Sequence, residues 1–221
     1  MSARDNILAR VRRGLGLPGD KPGAERVLTE EHIRKNQRGP RPAYRWDNDA
    51  DRFQERSEKL GTTVDRVATL SEVPAAVARY LMEKALPQNG VMWPGLRSLE
   101  WEDAGLSFAT REARPDDLVG VTGAFCAISE TGTLMLLSGK DTPAAVSLLP
   151  ETHIAIVEMQ RIVPGMEEAW DLMKAERGAP PRAINFVSGP SRTADIEQTI
   201  VIGAHGPYRV HVVLYGSADF Q

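Results

Sequence analysis

The chain has 221 residues, 42% of them hydrophobic and 26% charged, with a formal net charge of −3. That is the size of one full domain with a small appendage, large enough to bury about 70% of its unfolded surface without staples. The single cysteine, Cys126, excludes an intrachain disulfide and any cluster or Cys-based zinc site built by this chain alone, and the weakly acidic balance leaves no basic field to draw it to nucleic acid.

In chain order, Ser2 caps a predicted helix with Ile7, Leu8, Val11 and Leu15 at helical spacing, stopped by Gly14 and Gly16. The Pro/Gly-rich stretch 16–24 reads as a loop. Thr29 begins a second helix that runs to about Arg38, and Asp47 caps a third, roughly Asp49 to Leu60. Residues 1–60 carry 14 Lys+Arg against 10 Asp+Glu, and the remainder 13 against 20. The expected division is therefore a basic helical arm over 1–60 and an α/β domain over 61–221. Such an arm is either a solvated polar face or a docking element for an acidic partner. No run reaches the ~18 apolar residues of a membrane span. Arg4, Asp5, Arg10, Arg12 and Arg13 fall where a secretory apolar region would lie, so the expected location is cytoplasmic.

Beyond residue 60 strands and helices alternate. Thr62–Thr69 reads as a strand. Ser71 caps a helix with Pro74 in its first turn and Pro87 after its end. Val91–Trp93, Leu106–Thr110, Val119–Ser129, Thr133–Leu137, Thr152–Glu158, Ala183–Val187, Thr199–Ile202 and Arg209–Leu214 are further strands, and Pro164–Arg177 is a helix. Strands separated by helices argue an α/β fold with a largely parallel sheet. The adjacent runs at 119–137 and 199–214 can pair as hairpins, which makes the expected sheet mixed.

Three segments place polar groups among apolar ones. In GVTGAFCAISETG (120–132), Glu130 sits at a turn between two buried runs, where partial desolvation suits a nucleophile or general base; the plain alternative is a carboxylate accepting backbone N–H bonds. Thr122, Gly123, Thr131 and Gly132 flank it as candidate substrate-binding residues. Cys126 reads as a core thiol. In SGPSRTADIE (188–197), after a strand, Ser188, Gly189, Ser191, Arg192 and Thr193 can offer N–H groups and a guanidinium to an anion, or simply cap a helix. Asp195 and Glu197 follow. In GAHGP (203–207), His205 is an accessible acid or base candidate, or part of a turn. His153 and His211 read as structural. The scattered histidines give no zinc signature, so no metal site is assigned, and neither a Walker loop nor GxGxxG is present.

TGAFCAISETGTL (122–134), LLPETHIAIVE (148–158) and SGPSRTADIEQTIVIGAHGPYRVHVVLYG (188–216) together resemble the LUD domain of lactate utilisation proteins, nearest the C-type (LutC) family. The likeness is continuous from about Val64 to Gly216. It implies a layered α/β fold similar to ribose-phosphate isomerases, glucosamine-phosphate deaminases and CoA transferases. It also implies a place in oxidation of L-lactate to pyruvate beside iron–sulfur partner proteins. This chain, with one cysteine, is then expected to bind no cofactor or cluster itself. Ser129-Glu130-Thr131-Gly132 is similar to the Ser-Glu-Asn-Gly stretch that holds the catalytic glutamate of some CoA transferases, with Thr131 in place of Asn.

Three functions follow: an accessory, substrate-handling or assembly subunit of a lactate-oxidising system; a stand-alone transferase or isomerase-like enzyme on an acyl-CoA or sugar phosphate; and a non-catalytic ligand-sensing module.

Overall fold

The computed structural model describes residues 2–16, 23–35, 38–40, 48–193 and 201–217. It separates into two compact units, Met1–Tyr44 and Arg45–Gln221. The first holds α1 (Ala3–Gly14) and α2 (Gly23–Lys35). Ser2 and Asp5 close a reciprocal capping box, each side chain accepting from the other residue's backbone N–H. The Ser2 backbone N–H is the larger cause of the lowered Asp5 pKa. No residue of α1 is buried, and Ile7, Val11 and Leu15 are exposed. Helix α2 starts six residues before the expected cap Thr29, because Ala24 to Leu28 are helix formers that extend it back to Gly23.

The second unit opens with α3 (Asp49–Lys59), capped by Asn48, whose Oδ1 accepts from the N–H groups of Ala50 (2.6 Å) and Asp51 (3.3 Å). The expected cap, Asp47, lies outside the described residues. Phe53 is fully buried in a core shared with Leu134, Leu136 and Val212. The helix that the sequence grouped with the arm therefore belongs to the α/β unit, whose boundary falls at residue 45 rather than 61.

The remaining elements are β1 (Thr63–Val67), α4 (Val73–Glu83), β2 (Asn89–Met92), β3 (Ser107–Ala109), β4 (Val119–Gly123), β5 (Cys126–Ile128), β6 (Thr133–Leu137), α5 (Ala145–Leu148), β7 (Thr152–Glu158), β8 (Ile162–Val163), α6 (Met166–Arg177), β9 (Ile184–Val187), β10 (Arg192–Thr193), β11 (Val201–Ile202) and β12 (Arg209–Tyr215). The central sheet has six strands in the order β1-β12-β7-β4-β2-β3, and every pairing is parallel. A second, mixed sheet runs β8-β5-β6-β9. The expected mixed character thus resides in this second sheet.

Two sequence expectations change. The apolar run Val119–Ser129 is two strands in two sheets, parted at Ala124-Phe125; only β5 and β6 form the hairpin. The 199–214 stretch is not a hairpin: Val201–Ile202 pairs with Arg192–Thr193, and β12 enters the parallel sheet between β1 and β7. Val210, Val212, Val213 and Leu214 are apolar on both faces of β12 and leave no polar face for water, so the strand is drawn inside a sheet covered on both sides. Ser71 does not cap α4 either: Leu70–Glu72 form a 3-10 turn and the helix begins at Val73 with Pro74 in its first turn.

Alternation along the strands makes the layers. Val119, Val121, Ile154, Ile156 and Val213 pack under Val73, Val77 and Leu81 of α4. Ala155, Val157, Val210, Val212 and Leu214 face Leu134 and Leu136 of the second sheet. The far side of that sheet, with Cys126, Ile128 and Met135, is covered by Ala169 and Met173 of α6.

Candidate functional site

The sequence-predicted residues fall into four places. Thr131, Gly132, Ser188, Gly189, Ser191 and Arg192 gather around the C-terminal end of α3. Thr131 Oγ1 donates to Thr133 Oγ1 (2.7 Å), which lies 2.7 Å from Ser188 Oγ. Gly132 takes φ +63° against the helix, and a Cβ there would lie 2.5 Å from the Ser57 nitrogen. Gly189, at φ +79°, packs on Leu60, where a Cβ would lie 2.9 Å from the Leu60 Cβ and carbonyl oxygen. Arg192 Nη2 donates to the Leu60 carbonyl at 2.8 Å, so one arm of the expected anion fork holds a helix end. Thr193 continues this strand. Exposed His205 lies in the loop tied to Ser191 by Gly203 N–H to Ser191 O and Ser191 N–H to Pro207 O, both 2.8 Å. Asp195 and Glu197 lie outside the described residues.

Glu130 stands apart. It is half-buried in the β5–β6 turn, where its N–H donates to the Pro164 carbonyl (3.2 Å), while neighbouring Ser129 Oγ donates to Asp49 Oδ1 (2.5 Å). Thr122 is fully buried, with its Oγ1 2.8 Å from His153 Nε2, so its hydroxyl is spent inside the core. Cys126 is buried, and burial pushes its thiol up to about 12, which makes it inert at neutral pH.

Gly123 alone of the predicted set lines a cleft. That cleft, about 480 Å³, opens where the parallel strands end. Its floor is set by the last residues of neighbouring strands: Tyr215 of β12, Glu158 of β7, Gly123 of β4, and Trp93 just after β2. Carboxyl ends of parallel strands are the usual ligand position in open α/β sheets. Leu70 and Leu96 form one wall; Phe125, Leu137, Arg161, Glu176 and Arg177 form the other. Glu130 lies in the turn past the opposite end of β5 from Phe125, separated from it by the three strand residues Cys126–Ile128, on the order of 10 Å.

Electrostatics in the cleft are dominated by one pair. Arg161 donates two N–H groups to Glu176 (2.6 and 3.1 Å) and its Nε–H to the Phe125 carbonyl (2.8 Å), with its guanidinium 4.7 Å from the Phe125 ring centroid. The hydrogen bond to Arg161 lowers the Glu176 pKa, and the reverse raises that of Arg161. Burial, then the nearby Glu158 charge, raises the Tyr215 phenol. Trp93 Nε1 donates to the Pro143 carbonyl at 3.1 Å, which fixes its ring. Among the described residues no group of three or more His, Cys, Asp or Glu could hold a metal ion.

The cleft residues other than Gly123 escape sequence reasoning, although a signal was present. Glu158 and Tyr215 each close a run of six residues of strand character, THIAIV and RVHVVL. A polar group at the carboxyl end of such a strand is the one placed to meet a ligand.

Residues 108–215, which include both β4 and β12, match the family described as the LUD domain. Over those residues the chain carries a LUD domain. It is similar to Lactate utilization protein C of Bacillus subtilis (strain 168), with 39% identity over 126 residues, covering 55% of this chain and 52% of that protein. It is likewise similar to Lactate utilization protein C of Halalkalibacterium halodurans, 44% identical over 94 residues, 41% of each chain. The chain thus spans about half the length of the curated relatives it matches. A solved structure, a DUF162 family protein from Deinococcus radiodurans, superposes with a TM-score of 0.58 at 26% identity, covering 76% of this LUD-domain protein and 96% of that chain. Among the described residues of the LUD-domain protein no helix is long and apolar enough to cross a membrane.

Proposed function

We propose that this LUD-domain protein works in lactate utilisation as an accessory subunit that handles substrate or assembly and carries no cluster, beside iron–sulfur partner proteins. The observation that carries the reading is the LUD-domain match together with relatives named Lactate utilization protein C at 36–44% identity. The thiol inventory supports the division of labour. A [4Fe–4S] or [2Fe–2S] cluster takes about four thiolates, and this chain offers one, buried and held as the thiol. Electrons leaving lactate would therefore pass through another chain. A stand-alone transferase using Glu130 as nucleophile draws less support, because Glu130 and the cleft lie at opposite ends of β5.

Deletion of the gene, with growth followed on L-lactate and on glucose, tests the reading. The expected result is a growth defect on lactate alone, restored by the intact gene, and recovery of iron-containing proteins when the tagged chain is pulled from lactate-grown cells. Normal growth of the deletion strain on lactate, with an iron-free eluate, would overturn it.

A further inference from the structure

We infer that the cleft at the carboxyl edge of the parallel sheet binds a nucleoside-type ligand: flat base toward Trp93, sugar hydroxyls on Glu158 and Tyr215, any phosphate at the rim by Arg177.

Size is the first argument. A volume of about 480 Å³ lies within the ~300–1,000 Å³ of pockets that enclose drug-sized ligands. A three-carbon acid would leave most of it to water.

The floor has a direction. Strands β12, β7, β4 and β2 are successive neighbours; Tyr215 pairs with Glu158, while Gly123 pairs with Ile156 and Met92 with Val121, so the floor steps down from Tyr215 and Glu158 to Gly123 and Trp93 across three strand spacings, on the order of 14 Å at ~4.8 Å each. One end of the floor is polar. The other is apolar, with Trp93 and Leu96. Between them Gly123 leaves the floor without a side chain. A Cβ there would meet Trp93 Cε3 and Cζ3 at 3.8 Å and the Ile156 carbonyl oxygen at 3.9 Å, which is ordinary contact. A flat ring can lie across it.

Unspent hydrogen-bonding groups then select the ligand. Three of the five Arg161 N–H groups are taken by Glu176 and the Phe125 carbonyl, and Glu176 offsets its charge. Among the described residues, the Glu158 carboxylate and the Tyr215 hydroxyl make no such bond, although their strands pair Glu158 with Tyr215 directly. A carboxylate accepts and does not donate. The group it meets must carry O–H or N–H, and an anion set against it would be repelled. A ribose diol satisfies this; a bare carboxylic acid anion does not. Exposed Arg177, at the end of α6, is the cation placed to meet a phosphate outside.

Calorimetric titration of the full chain with adenosine, adenosine monophosphate, ribose 5-phosphate and L-lactate tests this. Adenosine and its monophosphate are expected to bind at one site, with ribose 5-phosphate weaker and L-lactate not competing. Glu158→Ala should weaken adenosine about tenfold or more, the size of a hydrogen bond to a charged group. Arg177→Ala should weaken the monophosphate and leave adenosine unchanged. Gly123→Leu, whose Cβ has room and whose remaining carbons enter the cleft, should abolish binding with the melting temperature retained. Should that variant unfold, Glu158→Ala alone decides. No adenosine binding at millimolar concentration, or binding undiminished in Gly123→Leu and Glu158→Ala, would overturn the assignment. The lactate-growth result is independent of these titrations, so either reading can fail without the other.

Discussion

Two buried histidines make stability depend on pH. His153 is fully enclosed, and its Nδ1 has no hydrogen-bond partner among the described residues; burial pulls its pKa down to about 4. His211 is stacked on Tyr80 with ring centroids 3.8 Å apart, shares a 2.8 Å hydrogen bond with Thr63, and is also lowered to about 4, chiefly by burial. Folded, both stay neutral until pH nears 4, whereas unfolded they take a proton near 6.5. The unfolded state therefore binds more protons between these values. Stability is full above pH 6.5 and falls as pH drops toward 4, with each histidine responsible for about 3 kcal/mol at the lower limit. Urea unfolding at pH 7.5, 6.0 and 5.0 should show this decline, and a His153→Leu variant should show a shallower one whatever its stability at pH 7.5. An equal slope in both proteins would remove His153 as the cause. Asp117 acts in a lower window. Paired with Arg111 through two bonds of 2.7 Å and accepting the Arg114 N–H at 2.7 Å, it has a pKa below its ordinary 3.8. Its contribution is present above that value and is lost only as pH falls further.

At the scale of elements, the tight join between α3 and the β5–β6 turn explains why the SETG segment has its residues. Gly132 has a positive φ and no space for a Cβ, with Ser57 N at 2.5 Å and Arg56 C at 2.7 Å; Gly178 has a similar φ and nothing within 4 Å. Gly178→Ala is expected to cost about 1 kcal/mol, the backbone penalty alone. Gly132→Ala must also push α3 away and should cost at least about 3 kcal/mol, within the range of overpacked cores. Thermal melts of the two variants give the comparison, and equal losses would show that α3 yields freely. The same join shows what the sequence could not reveal. Element types were legible because apolar period and capping chemistry are local: Ser2, Pro74 and the strand Thr152–Glu158 were read correctly. Partners were not. Nothing near Phe53 in the chain announces that it packs on Leu134 and Val212, and Ala124-Phe125 inside a continuous apolar run gave no sign that β4 and β5 join different sheets. The candidate site suffered similarly. Small and hydroxyl residues drew attention to Gly132, Ser188 and Gly189, which close helix–turn contacts, while Glu158 and Tyr215 passed as strand ends.

The whole molecule turns on where its compact units divide and on how far apart its paired strands lie in sequence. The second unit, Arg45–Gln221, contains α3 and both sheets. Strand β12 is the last element among the described residues, yet it lies inside the sheet between β1 and β7. The sheet therefore closes only when β12 pairs with β1, far from it in sequence, and contacts of such long range make folding slow for the size. Two truncations separate what each segment contributes. A chain starting at residue 45 keeps Phe53, which is 0% exposed, and every element of the second unit, and should melt cooperatively within a few degrees of the full chain. A chain starting at residue 61 loses Phe53 and the helix that covers Gly132 and Leu134. Removing one buried phenylalanine costs about 3–5 kcal/mol, a large share of the 5–15 kcal/mol that holds a domain together. That shorter chain should be unfolded or aggregate at 37 °C. Circular dichroism melts on both proteins decide the point. If the chain from residue 61 folds as well as the chain from residue 45, α3 is dispensable, and the division expected from charge and composition would be the physical one after all.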